Sequence, residues 1–131
     1  LESSAKHYGV YNFVGENIYE ASKDDFIFRF LDFVRVKGKN IPVKVYELVS
    51  SKNNAKNSDI DLIRSFENGL DCYYQQDWDN AIKNFKKSKS MEESFTSRNT
   101  TPSDVYINRC IMFKDNPPEK DWDGVWTMVS K

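Results

Sequence analysis

One histidine and two cysteines in 131 residues leave little material for metal or thiol chemistry. His7, Cys72 and Cys110 are too few and too scattered for a disulfide framework, a Cys/His zinc cage or a Cys-x-x-Cys redox pair. Isolated thiols of this kind fit a reducing compartment. An excess of charge is missing as well. Lys and Arg number 19 against 20 Asp and Glu, a formal charge of -1. Without a basic surplus there is no counterion-release drive toward nucleic acid, which is not expected as a partner. No apolar run approaches the ~18–20 residues that span a bilayer, and the N-terminus lacks the succession of a signal peptide, so the segment is expected to be soluble and cytoplasmic. The chain opens on Leu1 instead of methionine and is read as part of something longer. What is present is aromatic: 15% of residues, too many for a disordered tail and enough to build a modest core in one domain or two very small ones.

Two rhythms divide the chain. From Phe26 to Val36 apolar residues alternate, with Phe26, Phe28 and Phe30 on one side and Ile27, Arg29, Leu31 and Phe33 on the other, the period of a strand. Past Asp32 the phase slips to Val34 and Val36, which predicts a β-bulge near Leu31 to Phe33. A second strand is expected over Ile41 to Val49. Lys37-Gly38-Lys39-Asn40 joins the two as a hairpin, with Gly38 able to take a positive φ. Upstream, Val10 to Val14 reads as a short strand and Glu16 to Ser22 as about two helical turns. Leu1 to Tyr8 reads as the end of a helix with Gly9 as its left-handed cap.

The polar run Ser50 to Ser58 has nothing to bury and reads as a linker. Beyond it the period becomes helical. Ile60, Ile63, Phe66, Leu70 and Tyr73 form one stripe after a cap at Ser58 or Asp59, ending before Gln75-Gln76-Asp77. Asp77 caps a second helix whose Trp78, Ala81, Ile82 and Phe85 share a face. Thr101-Pro102-Ser103-Asp104 opens a third helix through about Lys114, stopped by Pro117-Pro118. The closing stretch turns at Asp123-Gly124 and ends in a short β-prone run.

The stretch from Asp24-Asp25-Phe26-Ile27-Phe28-Arg29-Phe30 through Val34-Arg35-Val36-Lys37-Gly38-Lys39-Asn40-Ile41-Pro42-Val43-Lys44-Val45-Tyr46-Glu47-Leu48 resembles the end of the catalytic domain of class III adenylate/guanylate cyclases. Leu1-Glu2 through His7-Tyr8-Gly9-Val10 resembles the stretch that follows the family's asparagine and arginine helix. The resemblance covers about the first 49 residues. The second half is similar to the C-terminal extension of many bacterial members, with its Pro-Pro and Trp122-Asp123-Gly124-Val125-Trp126 pattern.

The resemblance implies a parent enzyme that turns ATP or GTP into a 3',5'-cyclic nucleotide and pyrophosphate, using Mg or Mn ions on two aspartates at a homodimer interface. Membrane attachment of the parent through upstream segments is compatible with this. In the family the metal aspartates, base-selecting residues and asparagine/arginine pair precede the part matched here. This chain is therefore expected to hold no cofactor and to be inactive alone. A lysine of the family's hairpin reaches the terminal phosphate, which here means Lys37 or Lys39, with Lys37 preferred. Lysines beside a hairpin glycine are otherwise ordinary solvated turn residues.

Gly69, Ala81 and Phe85 match the tetratricopeptide spacing, though no second copy follows. A partner groove at Phe66, Tyr73 and Phe85 is the functional reading of this region; the plainer one is a helical tail. The alternative to a cyclase is thus a non-catalytic interaction or dimer-bracing module. The acidic pairs Asp59/Asp61, Asp77/Asp79 and Asp121/Asp123 lack the ladder of a calcium loop and read as caps and solvated faces. Trp122 and Trp126 read as packing residues that pin the tail. The expected class is α+β: terminal strands of a cyclase-type sheet over 1–49, a linker at 50–58, a tetratricopeptide-like helical hairpin with a third helix over 59–115, and a tail at 116–131 packing on the helices.

Overall fold

A computed structural model describes residues 2–36, 38–92 and 99–128. Among them the chain forms a mixed α+β arrangement of five helices and a four-stranded sheet. It divides into two compact units, one built on residues 10–55 and 121–131 with the first six residues, the other on residues 56–120 with residues 7–9.

Helix α1 (Glu2–Tyr8) ends at Gly9, whose φ of +73° is the expected left-handed cap. Strand β1 (Phe13–Gly15) leads into α2 (Glu16–Ser22), then β2 (Phe26–Arg35) and β3 (Val43–Ser51) form the hairpin. The order is β1-β3-β2-β4, with β1 and β2 antiparallel to β3. The slip expected near Leu31 is present: Phe30 faces Tyr46 and Asp32 faces Val45, leaving Leu31 as the extra residue. A second slip lies in β3, where Ile27 faces Ser50 and Phe28 faces Leu48, so Val49 is extra. One bulge in each strand cancels the other, and the original register resumes at Asp32.

Between the bulges Arg29 faces Glu47, and the two make a charge-assisted pair: Nε and Nη2 of Arg29 donate to Glu47 Oε1 at 2.9 and 2.6 Å. Arg29 is 1% exposed and Leu31 0%. Phe28 and Phe30 are half-buried around Tyr46, on which Tyr19 of α2 stacks with ring centroids 4.0 Å apart. This stacking seats α2 on the sheet.

The run read as a linker is mostly occupied by regular structure. Ser50 and Ser51 complete β3 opposite Ile27 and Phe26, and Lys52–Asn54 make a 3-10 turn with the Ser51 hydroxyl accepting from the Asn54 N–H. Asn57 already begins α3. Polar composition did not preclude structure here, because the strand end and the turn satisfy the backbone without needing apolar side chains.

In the helical unit α3 (Asn57–Tyr74), α4 (Trp78–Glu92) and α5 (Pro102–Asp115) bury an aromatic core. Asp59 accepts the Lys56 N–H at the start of α3. The buried face of α3 is Leu62, Ser65, Phe66, Gly69, Leu70 and Tyr73, while Ile60 is 38% exposed, so the stripe is rotated from the one expected. Small residues explain the rotation. A Cβ on Gly69 would lie 2.7–2.9 Å from the Phe85 ring, so only glycine lets α4 come this close. On α4 the buried residues Trp78, Ala81, Phe85, Ser88 and Glu92 repeat every three to four positions. Thr101 and Asp104 form the expected reciprocal cap, each side chain accepting the other's backbone N–H at 3.2 Å, with Pro102 in the first turn.

The tail departs from expectation. Gln76 Nε2 donates to the Glu119 carbonyl within the helical unit, but from Asp121 onward the chain belongs to the sheet unit. There β4 (Trp126–Thr127) runs parallel to β2, Trp126 facing Val34 and Thr127 facing Arg35. The Asp-Gly turn delivers a strand to an open edge, where backbone groups of β2 gain partners.

Candidate functional site

The candidate site is the turn between β2 and β3. Gly38 has φ +86°, the Lys39 N–H donates to the Val36 carbonyl at 2.9 Å, and Arg35 Nε donates to the Asn40 carbonyl at 3.4 Å. These bonds close the turn beyond the last β2–β3 pair, Val34 with Val43. Lys39 is exposed and lines a concave surface with Val36, Asn40, Ile41 and Val43. Its apolar members are open to solvent: Val36 is 43% exposed, Ile41 78% and Val43 43%. An ammonium on a flexible stem beside an apolar rim can meet a phosphate oxygen while the rim excludes water from one side. Lys37, the other lysine expected to contact phosphate, lies outside the described residues.

The partner groove expected at Phe66, Tyr73 and Phe85 is not a surface. All three are 0% exposed. Phe85 stacks on Tyr106 at 5.0 Å, Phe66 meets both rings edge-on at 5.3 and 5.6 Å, and Tyr73 packs on Tyr106 at 4.9 Å. These side chains hold the helices together and present nothing to a ligand. Trp126 and Trp122 are half-buried in the tail.

Of the acidic pairs, Asp59 caps the start of α3, Asp77 accepts from the Asn80 side chain, Asp79 pairs with Lys114 at 2.6 Å, and Asp123 lies 3.8 Å from Arg35. Among the described residues no group of three or more His, Cys, Asp or Glu is placed to hold a metal ion. The thiols are not poised for nucleophilic work. Burial pushes Cys110 up to about 12, and burial also raises Cys72, where Asp77 and Asp71 add to the effect.

Composition alone did not show a buried polar seam. Ser88 and Ser103 share a hydrogen bond of 2.6 Å, Ser103 donates to Glu92 Oε2 at 2.8 Å, and all three are at most 1% exposed. Solvent does not reach it, so its role is to join α4 to α5. The signal available in the sequence was position: Ser88 and Glu92 continue the Trp78, Ala81, Phe85 stripe at helical spacing.

No helix among the described residues is long and apolar enough to cross a membrane. No family model matches the chain, and no solved structure matches it. The chain is related in sequence to the terminal-differentiation specific adenylate cyclase of Dictyostelium discoideum, 30% identical over 91 residues. The matched stretch is 69% of this chain and 4% of that protein.

Proposed function

We propose that this chain is the closing part of a class III nucleotide cyclase catalytic domain with a helical extension, a cytoplasmic portion of a complete enzyme that makes cyclic AMP or cyclic GMP for signalling. The observation that carries the reading is the pairing of a cyclase relationship in sequence with a lysine-bearing hairpin turn that leaves Lys39 exposed. In the reaction the ribose 3'-oxygen loses its proton and bonds to the α-phosphorus, and the bond from that phosphorus to the bridging oxygen breaks, releasing pyrophosphate. Negative charge gathers on the leaving group. A lysine at the terminal phosphate stabilises it more as the reaction proceeds.

That contact is the contribution of this chain, through Lys37 or Lys39. Its own residues do not fit the Mg or Mn pair that the family resemblance implies, since no acidic cluster of the needed size converges among those described. The metal-holding aspartates and the base-selecting residues belong to other segments, completed in a homodimer. The chain alone is then inactive. Lys37→Ala and Lys39→Ala in the complete cyclase test the reading. The residue that contacts phosphate should lower kcat/KM about tenfold or more, as loss of a hydrogen bond to a charged group does. Both variants staying within about twofold would remove the assignment. Cyclic nucleotide formed by this chain alone with ATP or GTP and Mg²⁺ or Mn²⁺ would refute the division of labour.

A second reading, in which residues 56–120 brace a dimer as a tetratricopeptide-like module, is favoured by Ile111 and Met112 of α5, which are 54% and 47% exposed. Replacing both with Glu should weaken self-association of the complete enzyme if they brace it; an unchanged sedimentation profile at micromolar concentration would count against the bracing role.

A further inference from the structure

Strand β4 ends beside the candidate site. Asp123 Oδ1 accepts the Val125 N–H at 3.0 Å, and the buried Gly124 turns the chain at φ +78°. The strand then runs along β2, and the Met128 N–H donates to the Arg35 carbonyl at 2.9 Å. Arg35 is thereby engaged from three directions. Its carbonyl is held by the tail, its guanidinium lies 3.8 Å from Asp123, and its Nε donates to Asn40 across the turn.

The last β2–β3 pair is Val34 with Val43, so Arg35 is the first residue that β3 does not hold. Strand β4 holds it instead, through the pairing with Thr127. A turn tethered only at its base samples many orientations, and a phosphate contact needs one. We propose that β4 is a positioning strand for the turn around Gly38: by fixing Arg35 and, through it, Asn40, it orients Lys39 toward the terminal phosphate. The proposal rests on the cyclase reading for the identity of the ligand, while the mechanical link between tail and turn stands on the bonds described.

Two variants test it. Gly124→Val places a β-branched residue at positive φ and should release β4. Deletion of 121–131 removes the strand outright. Amide hydrogen exchange on this chain is the first readout. Protection of Lys39 should fall about tenfold in both variants, while Leu48, which donates to Asn12 on the far side of the sheet, and the amides of α3 to α5 keep theirs. The second readout is the complete cyclase carrying Gly124→Val, whose kcat/KM for nucleotide should fall about three- to tenfold, as expected for partial loss of a contact that strengthens toward the transition state.

Unchanged Lys39 protection after deletion overturns the proposal. So does an unchanged kcat/KM in Gly124→Val when Lys39→Ala lowers it, and so does a loss confined to Lys37→Ala. If neither lysine variant alters kcat/KM, the phosphate reading fails and the exchange result alone decides whether β4 fixes the turn.

Discussion

Gly69→Ala offers a test of the helical packing in which the sign of the effect is the result. In an isolated helix the change is favourable by about 1 kcal/mol, because alanine loses less backbone freedom than glycine. Here the added methyl lands 2.7–2.9 Å from three atoms of the Phe85 ring. That ring has little room to withdraw: it is 0% exposed, stacked on Tyr106 at 5.0 Å and met edge-on by Phe66 at 5.3 Å. Overpacking of a close-packed site costs about 1–3 kcal/mol, and a ring held on two sides belongs in the upper part of that range. The net expectation is a loss of about 1–2 kcal/mol, or a Tm lower by about 5–10 °C for a unit of this size. Urea unfolding followed by helical circular dichroism measures it. Repeating the substitution in a Phe85→Leu background should reverse the sign, since the smaller side chain leaves room for the methyl and alanine's intrinsic advantage returns. A coupling of about 2 kcal/mol is the expected outcome of the cycle. Gly69→Ala stabilising the parent chain, or acting alike in both backgrounds, would refute the close-approach argument.

Glu47→Ala should destabilise the sheet unit by about 3 kcal/mol in denaturant titrations, because it leaves the guanidinium of a 1%-exposed Arg29 without its 2.6 Å carboxylate. Arg29→Met combined with Glu47→Leu should recover most of that loss, and a double variant no better than the single would contradict the pair's role. Cys110, held up to about 12 by burial, should resist alkylation at pH 8 under native conditions while Cys72 reacts first, as peptide mass spectrometry would show. Above the ordinary thiol value of 9.0 the unfolded chain sheds that proton and the folded chain keeps it. Stability should therefore fall by up to about 1.4 kcal/mol per pH unit from this group until the folded thiol itself ionises. Stability that rose with pH in this window in the wild type relative to Cys110→Ala would be the contrary result.

Features set by neighbouring residues were legible in the sequence. Gly9 and Gly38 announce left-handed turns, Glu16–Ser22 forms a helix at the expected bounds, and the phase slip after Asp32 locates the bulge at Leu31. The Thr101 and Asp104 cap is likewise local. What escaped depends on partners distant in the chain. The face of α3 turned on which residues could approach Phe85, and small Ser65 and Gly69 outranked the more hydrophobic Ile60 and Ile63. The second bulge at Val49 has no mark in β3 itself and exists to restore the register that Leu31 shifts. The candidate site was legible as a lysine-flanked hairpin, but its brace was not, because β4 is two residues long and finds β2 only in three dimensions.

The pairing of Trp126 with Val34 also has a consequence for the order of folding. Strands β2 and β3 meet across a short turn and can zip locally, whereas β4 must return after the whole of α3, α4 and α5. Closing a flexible loop of about 90 residues costs about 4 kcal/mol in chain entropy, more than a two-residue strand can offset. Folded helices shorten that excursion. Docking of β4 is therefore the late step, conditional on the helices, and during synthesis the hairpin emerges first and waits for its last strand. A kinetic trace should show the turn around Gly38 gaining protection after the helices do, which makes completion of the helical unit a checkpoint on the hairpin's final geometry.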